Sequence, residues 1–220
     1  MTTEENIVVY GAGGHAKAVI DVIEQAGVGR IVGLLDGYQP AGTKVYGYEI
    51  LGDESYLARD DGITGVTIAI GDNWRRARAE QSIRAVRPDC RFVSAVHPRA
   101  SVARGAVIGA GSVVMAGAVV GSDAVVGRHC VLYTLSSLDH DSRMEDFATL
   151  APHAATGGNV RIGACSVVSI GARVIHSVSI GEHTVIGAGA TVLSNIEGYS
   201  VAYGTPARIV RRRAAGERYL

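Results

Sequence analysis

From Val96 to Glu197 one pattern returns every six residues. The positions Val96, Val102, Ile108, Val114, Val120, Val126, Leu132, Leu138, Met144, Leu150, Thr156, Ile162, Val168, Val174, Ile180, Ile186 and Val192 open 17 hexads in unbroken register, and 16 of these openings are aliphatic. Four residues after each opening the side chain is Ala, Ser, Cys or Thr in 14 of 17 cases. Gly often follows the opening, as in Ile108-Gly109, Val120-Gly121 and Ile162-Gly163. A period of six is neither that of a helix nor that of a simple strand. A short strand and a corner, repeated, produce it, with the aliphatic and the small residue both pointing into a narrow core. Gly and polar residues are expected at the corners, where the backbone needs freedom. Such a fixed short period predicts a parallel β-helix.

The first part of the chain reads differently. Ile7–Tyr10 is an apolar run followed at once by Gly11-Ala12-Gly13-Gly14, and His15–Ala26 has one apolar helical face that stops at Gly27. Ile31–Leu35 and Gly65–Ile70 are further strand candidates, Trp74–Val86 a second helix ended by Pro88, and Arg91–Ala95 a fourth strand. Tyr48–Leu51 reads as a short edge strand and Asp53–Ala58 as a short helix, without assignable chemistry in residues 37–62. Alternating strands and helices predict a small parallel, Rossmann-like α/β domain over residues 1–95, followed by the β-helix over 96–220 with a C-terminal tail.

With 21 basic and 21 acidic side chains the chain is neutral, which argues against a nucleic-acid or anionic-membrane binder. Aromatic content of 5% and 29 glycines suit a thin, corner-rich solenoid. The polar N-terminus does not read as a signal peptide, and no apolar run approaches the ~20 residues of a membrane span. Cys90, Cys130 and Cys165 lack CxxC spacing and read as reduced packing residues, so a cytoplasmic protein without a metal site is expected.

Two places carry candidate chemistry. Gly11–Ala16 partly matches G-x-G-x-x-G/A at a helix start, where backbone amides meet phosphate, and Asp36 ends the next strand, where an acid commonly meets a ribose. About 95 residues supply only half of a six-stranded dinucleotide fold, so a nucleotide diphosphate group fits better than NAD. The alternative is that these glycines only permit tight packing. In the solenoid, Asp139-His140-Asp141 departs from the apolar rhythm, and Thr156 is the one opening that is not aliphatic. An imidazole flanked by carboxylates is a general-base arrangement, and a solvated corner is the plain alternative. Arg208, Arg211, Arg212 and Arg213 form a basic cluster, either solvated or meeting the 3′-phosphate of coenzyme A (CoA).

The motifs Gly11-Ala-Gly-Gly-His15-Ala-Lys17, Ile70-Gly-Asp-Asn73, the hexads, Asp139-His-Asp141, Gly157-Gly-Asn-Val-Arg-Ile-Gly163 and Gly204-Thr-Pro-Ala207 together resemble the left-handed β-helix acyltransferases. Within these the chain resembles the bacterial N-acetyltransferases of nucleotide-linked amino sugars and the related sialic acid O-acetyltransferases. The resemblance implies a left-handed β-helix, a homotrimer and acetyl-CoA as donor. It implies His140 as catalytic base and Asp141 as its orienting carboxylate. Gly158 would face the thioester carbonyl, with Ile170, Ala188, Gly204, Thr205 and Pro206 along the CoA arm. Gly13, Gly14, His15, Asp36 and Asn73 would hold the nucleotide. Tyr133 and His153 stand where relatives often carry Asn and Gly, and are candidate sugar contacts. The implied reaction is N-acetylation of a nucleotide-linked 4-amino-4,6-dideoxyhexose such as GDP-perosamine. Sugar O-acetylation and a non-catalytic nucleotide-sugar-binding solenoid are the alternatives.

Overall fold

The computed structural model describes residues 5–218. The chain divides into two compact units between His97 and Pro98. In the first, β1 (Asn6–Tyr10), α1 (Gly14–Ala26), β2 (Arg30–Leu35), β3 (Lys44–Val45), β4 (Tyr48–Gly52), β5 (Gly65–Ile68) and α2 (Asn73–Val86) follow in order. The sheet order is β3-β4-β2-β1-β5, parallel except for the β3–β4 hairpin. Its core joins Val8, Leu35, Val66 and Ile68 to Ile83 of α2. Two expectations change. The Tyr48 strand is not at the edge, because the hairpin places Lys44–Val45 outside it. The strand expected over Arg91–Ala95 shrinks to a bridge between Phe92 and Val66, followed by the short Ala95–Val96 strand.

The second unit is a left-handed parallel β-helix. Its two-residue strands stack at intervals of 18 residues, as in Val107, Val125, Arg143, Arg161 and Ser179, and so form three parallel sheets. The hexad openings point inward: Val114, Leu132, Leu138, Leu150, Val168 and Ile186 have no exposed surface. So do the small residues four positions on, such as Ala118, Ala124 and Ala148. Where that inward residue is Ser, its hydroxyl links coils: Ser112 Oγ accepts from Cys130 N–H (2.9 Å) and donates to the Gly127 carbonyl (2.7 Å). A polar group in the core is thereby satisfied.

The corners carry mostly Gly or polar residues, as expected, with Leu135, Phe147 and Cys165 as exceptions. The position three after each opening has positive φ from Gly105 to Gly189 without exception, and ten of these residues are not glycine. Glycine is therefore not what the corner requires. The glycine that follows the aliphatic opening has another cause: close approach of coils. A Cβ on Gly109 would lie 2.5 Å from the Gly127 carbonyl, and one on Gly121 would lie 2.5 Å from His140 N. Corner Gly171, by contrast, has open space around it.

The solenoid ends in an antiparallel hairpin, Ser200–Gly204 with Ala207–Arg212, whose first strand continues the stack on Val185–Ile186. The two kinds of glycine are separable by experiment. Gly109→Ala is expected to lower stability by about 1–3 kcal/mol through overpacking. Gly171→Asn should stay within about 0.5 kcal/mol, because Asn tolerates the left-handed region. Urea midpoints would check this, and equal losses in both variants would refute the distinction.

Candidate active site

The first unit holds a cavity of about 720 Å³, lined by Gly11–His15, Asp36–Gln39, Ala69–Asp72, Arg75 and Arg78 among others. It opens at the ends of β1 and β5, where the strand order reverses: β1 leads to β2 on one side, and the chain returns from β4 to β5 on the other. Open α/β sheets bind ligands at such switch points. The glycines of the first loop have different reasons to be there. Gly11 has φ +112°, and a Cβ there would meet the Ala69 carbonyl oxygen at 2.8 Å, so it is a packing glycine. Gly13 and Gly14 have ordinary φ and nothing within 4 Å of a built Cβ. Neither packing nor backbone geometry requires glycine at these two positions. Gly13 caps α1 without any side-chain hydrogen bond, and the positive end of the helix lies at this cavity. That arrangement suits an anion.

The acids of this cavity are engaged by the protein itself. Asp36 Oδ2 accepts from Ala12 N–H (2.8 Å), and Oδ1 accepts from the amides of Tyr38 (2.8 Å) and Gln39 (3.0 Å). Asp36, expected at a ribose, thus ties the glycine loop to the loop after β2. Asp72 caps α2 by accepting from Arg75 N–H. Glu54 accepts from the Tyr10 hydroxyl (2.8 Å), and burial together with that carboxylate holds the phenol neutral, above its usual range. The cations stay available: the Arg75 guanidinium lies over the exposed Tyr38 ring at 5.5 Å, and Arg78 is solvent-exposed. Asn73 does not line the cavity. It is buried, and its Oδ1 accepts from Arg76 Nη2 (2.8 Å), while Arg76 also donates to the Ile70 and Gly71 carbonyls. The pair shapes the loop before α2. Tyr38, Gln39, Arg75 and Arg78 were not legible as site residues, because only folding brings their loops together.

In the solenoid, Asp141 occupies a left-handed corner (φ 55°), a conformation open to Asp, and this turns its carboxylate back on the preceding residue. His140 Nδ1–H donates to Asp141 Oδ2 at 2.7 Å, and His140 N–H donates to Asp139 Oδ1 at 2.8 Å. A carboxylate acceptor fixes the proton on Nδ1, so Nε2 keeps its lone pair. The bond to Asp141, and then the Asp139 charge, raise the His140 pKa above the ordinary histidine value. One coil on, Gly158 lies against the imidazole: a Cβ there would overlap Nε2 and Cε1 and stand 3.0 Å from Cδ2. Asn159 N–H donates to the His140 carbonyl (2.8 Å).

The other expected residues lie elsewhere on the prism. His140 and Gly158 occupy the corner that follows the Ser137 and Ala155 strands. His153, Ile170 and Ala188 occupy the corner that follows the Thr149, Val167 and Val185 strands, and Tyr133 lies on the face leading to it. Ile170 is 59% exposed. Gly204, Thr205 and Pro206 form the exposed turn of the terminal hairpin. A single chain therefore brings His140, Asp141 and Gly158 together but leaves the residues expected along the CoA arm on a different edge. The basic cluster resolves largely into internal contacts: Arg211 pairs with Glu217, Arg212 with Glu197, and buried Arg213 donates to the His183 carbonyl. Among the described residues there is no metal-binding group of three or more His, Cys, Asp or Glu, and no helix is long and apolar enough to cross a membrane.

A left-handed hexapeptide β-helix bearing a carboxylate-held histidine beside a glycine defines an acyltransferase architecture. Comparison with known proteins narrows it. Residues 6–83 match the PglD N-terminal domain family. The chain is 33% identical to PerB from Caulobacter crescentus, solved with CoA and GDP-perosamine, over 93% of this chain and 96% of that one, with a TM-score of 0.85. It is 29% identical to the acetyltransferase domain of PglB from Neisseria gonorrhoeae, solved with acetyl coenzyme A, over 94% and 100% of the two chains (TM-score 0.85). WeeI from Acinetobacter baumannii, 23% identical over 94% and 100% of the two chains with a TM-score of 0.77, shares the fold. The chain belongs to the hexapeptide-repeat sugar N-acetyltransferases and is an acetyl-CoA-dependent acyltransferase.

His15 gives this site a pH signature. Burial, and then the nearby Arg76 charge, lower its pKa to about 4, against about 6.5 in an unfolded chain. The unfolded state takes up the proton first, so stability is present above about pH 6.5 and is lost as pH falls towards 4. At ~1.4 kcal/mol per pKa unit the loss is on the order of 3 kcal/mol. His15→Gln is expected to flatten the fall of the denaturation midpoint between about pH 6.5 and 4.5. An unchanged slope would refute the assignment.

Proposed function

We propose that the enzyme transfers the acetyl group of acetyl-CoA to the amine of a nucleotide-linked 4-amino-4,6-dideoxyhexose, with GDP-perosamine the leading candidate. The nucleotide would bind in the first unit, its diphosphate at the open N-terminus of α1 near Gly13, Gly14 and His15. Arg75 and Arg78 would supply positive charge there. The observation that carries the reading is the His140–Asp141 pair set against Gly158 on a solvent-facing corner. The likeness to PerB supports the sugar, since that enzyme was solved with CoA and GDP-perosamine. A histidine-to-asparagine variant of the perosamine N-acetyltransferase from Caulobacter crescentus was also solved with both ligands.

In the proposed mechanism the free amine attacks the thioester carbonyl carbon directly. His140 Nε2 accepts the amine proton, directly or through one water, and Asp141 stabilises the resulting imidazolium. The Gly158 N–H donates to the tetrahedral oxyanion. Collapse breaks the C–S bond, and the thiolate takes the proton held by His140, directly or through water, to leave as free CoA and return the base to its neutral form. No acyl-enzyme is needed. Because the base and the CoA-arm residues Ile170 and Ala188 sit on different edges of one prism, we infer that a second copy completes each site. A homotrimer meets that requirement for every chain. His153, on the second edge, and Tyr133, on the face leading to it, are then candidate contacts to a sugar bound at a neighbour's His140.

His140→Asn should keep the fold and acetyl-CoA binding but lose at least ~100-fold in kcat, within the usual range for a positioned base. Near wild-type kcat would remove His140 from that role. The base must be unprotonated to act, so a raised pKa sets the acid limb of the rate profile above the ordinary histidine value. Asp141→Asn removes the main cause of that rise, and the acid limb should move to lower pH. Thiol release measured across GDP-, UDP- and dTDP-linked amino sugars tests the substrate: release with none of them refutes the N-acetyltransfer reading proposed here.

A further inference from the structure

We propose that Thr156 is a positioning residue for His140, acting through the Asp139 amide; the proposal rests on the reading of His140 as the base. Its starting point is a break in an otherwise regular ladder. The amide one residue past each hexad opening donates to the carbonyl of the opening residue 18 positions on, as in Gly121 to Leu138, Tyr133 to Leu150 and Gly157 to Val174. Between Ala103 and Ile175 this bond recurs at 2.8–3.0 Å in every hexad but one. The exception is Asp139, whose amide donates to the Thr156 hydroxyl (3.0 Å) and not to its carbonyl. The strand pairing records the same break: the Ser137 strand pairs with the Ala155 strand through one residue couple, whereas its neighbours pair through two.

Thr156 is the only opening whose side chain carries a polar atom, and it is 7% exposed. In that slot an aliphatic residue would serve packing as it does in the other coils, and a buried hydroxyl adds a desolvation cost. What the hydroxyl provides is a side-chain acceptor that replaces a backbone one. Asp139 is thereby released from the strand register yet still anchored. From that anchored position its carboxylate accepts the His140 amide, while Asp141 holds the imidazole from the other side. The charged groups that flank the ring are these two carboxylates, and the neighbouring coil presents Gly158 to it. The chain thus reaches the base along a segment whose direction Thr156 sets.

Thr156→Val keeps the shape and removes the acceptor. It is expected to lower kcat about tenfold by misplacing the base, to leave the KM for acetyl-CoA unchanged, and not to lower the thermal midpoint. Thr156→Ser restores the acceptor and should recover at least half of the lost activity. Wild-type kcat in the valine variant, or a serine variant as impaired as the valine one, would overturn the proposal. Thr156→Ala repeats the comparison if the valine variant misfolds. NMR titration of His140, which needs no turnover, separates this proposal from the one it rests on. A titration point moving towards the ordinary histidine value in Thr156→Val supports positioning, and an unmoved one overturns it. If His140→Asn kept its kcat while that point moved, the base assignment alone would fail.

Discussion

Each strand of the solenoid is two residues long, so it cannot satisfy its own backbone. It must pass its hydrogen bonds to the coil before and the coil after. That constraint fixes the 18-residue repeat, and the rest of the unit follows from it. At Gly109, Gly121, Gly127 and Gly163 the neighbouring coil leaves no room for a Cβ one residue past the opening, whereas other coils carry Met115, Tyr133 or Glu145 at that position. Coils that turn in so few residues need a left-handed residue at every corner. For a non-glycine residue this costs roughly 1–2 kcal/mol. Each coil offsets that cost with inward aliphatic residues worth about 1.5–3 kcal/mol apiece on full burial. The balance explains how corners can carry His, Leu, Phe or Cys in place of Gly.

The inward pattern was legible in the sequence because burial repeats chemistry: aliphatic at the opening, small four residues on. The corner was legible only in part. Its constraint is on backbone angle, and Asp123, His129, Leu135 and Phe147 share an angle without sharing a side-chain type. Permissive φ holds for the corner glycines, such as Gly105 and Gly171, but the glycines that follow the openings, such as Gly109 and Gly121, are there because of contact between coils. In the α/β unit, strands and helices could be read from their periodicity. The Lys44–Val45 hairpin strand was missed because two residues carry no period.

The candidate site divides along the same line. His140 and Asp141 stood out because they interrupt a regular pattern, and adjacency in sequence survives as a 2.7 Å hydrogen bond. The cavity of the first unit stood out only at Gly11–Ala16 and Asp36, since its remaining walls come from the end of β5, the loop after β2 and the first turns of α2. Asp36 and Asn73 were visible from their places after strands, yet the structure directs them inward, to amides and to Arg76. Residue type announced polarity there, but not which partner would claim it. Gly13 and Gly14 are the informative positions, because the protein itself gives no reason for their lack of side chains.

A regular prism also separates what acetyl transfer must join. Residues 18 apart stack on one edge, so His140 can meet Gly158 but not the residues of the Ile170 edge. More regularity would not close that gap. Two departures from it matter on the proposed reading: a broken ladder bond at Asp139, which sets the base on its own corner, and association with a second copy, which would bring another edge to face it. The first is built into the chain at a single threonine. The second needs only that the exposed Ile170 edge of one copy lie against the His140 corner of the next. On this view the solenoid supplies rigidity everywhere except where the reaction needs a different geometry.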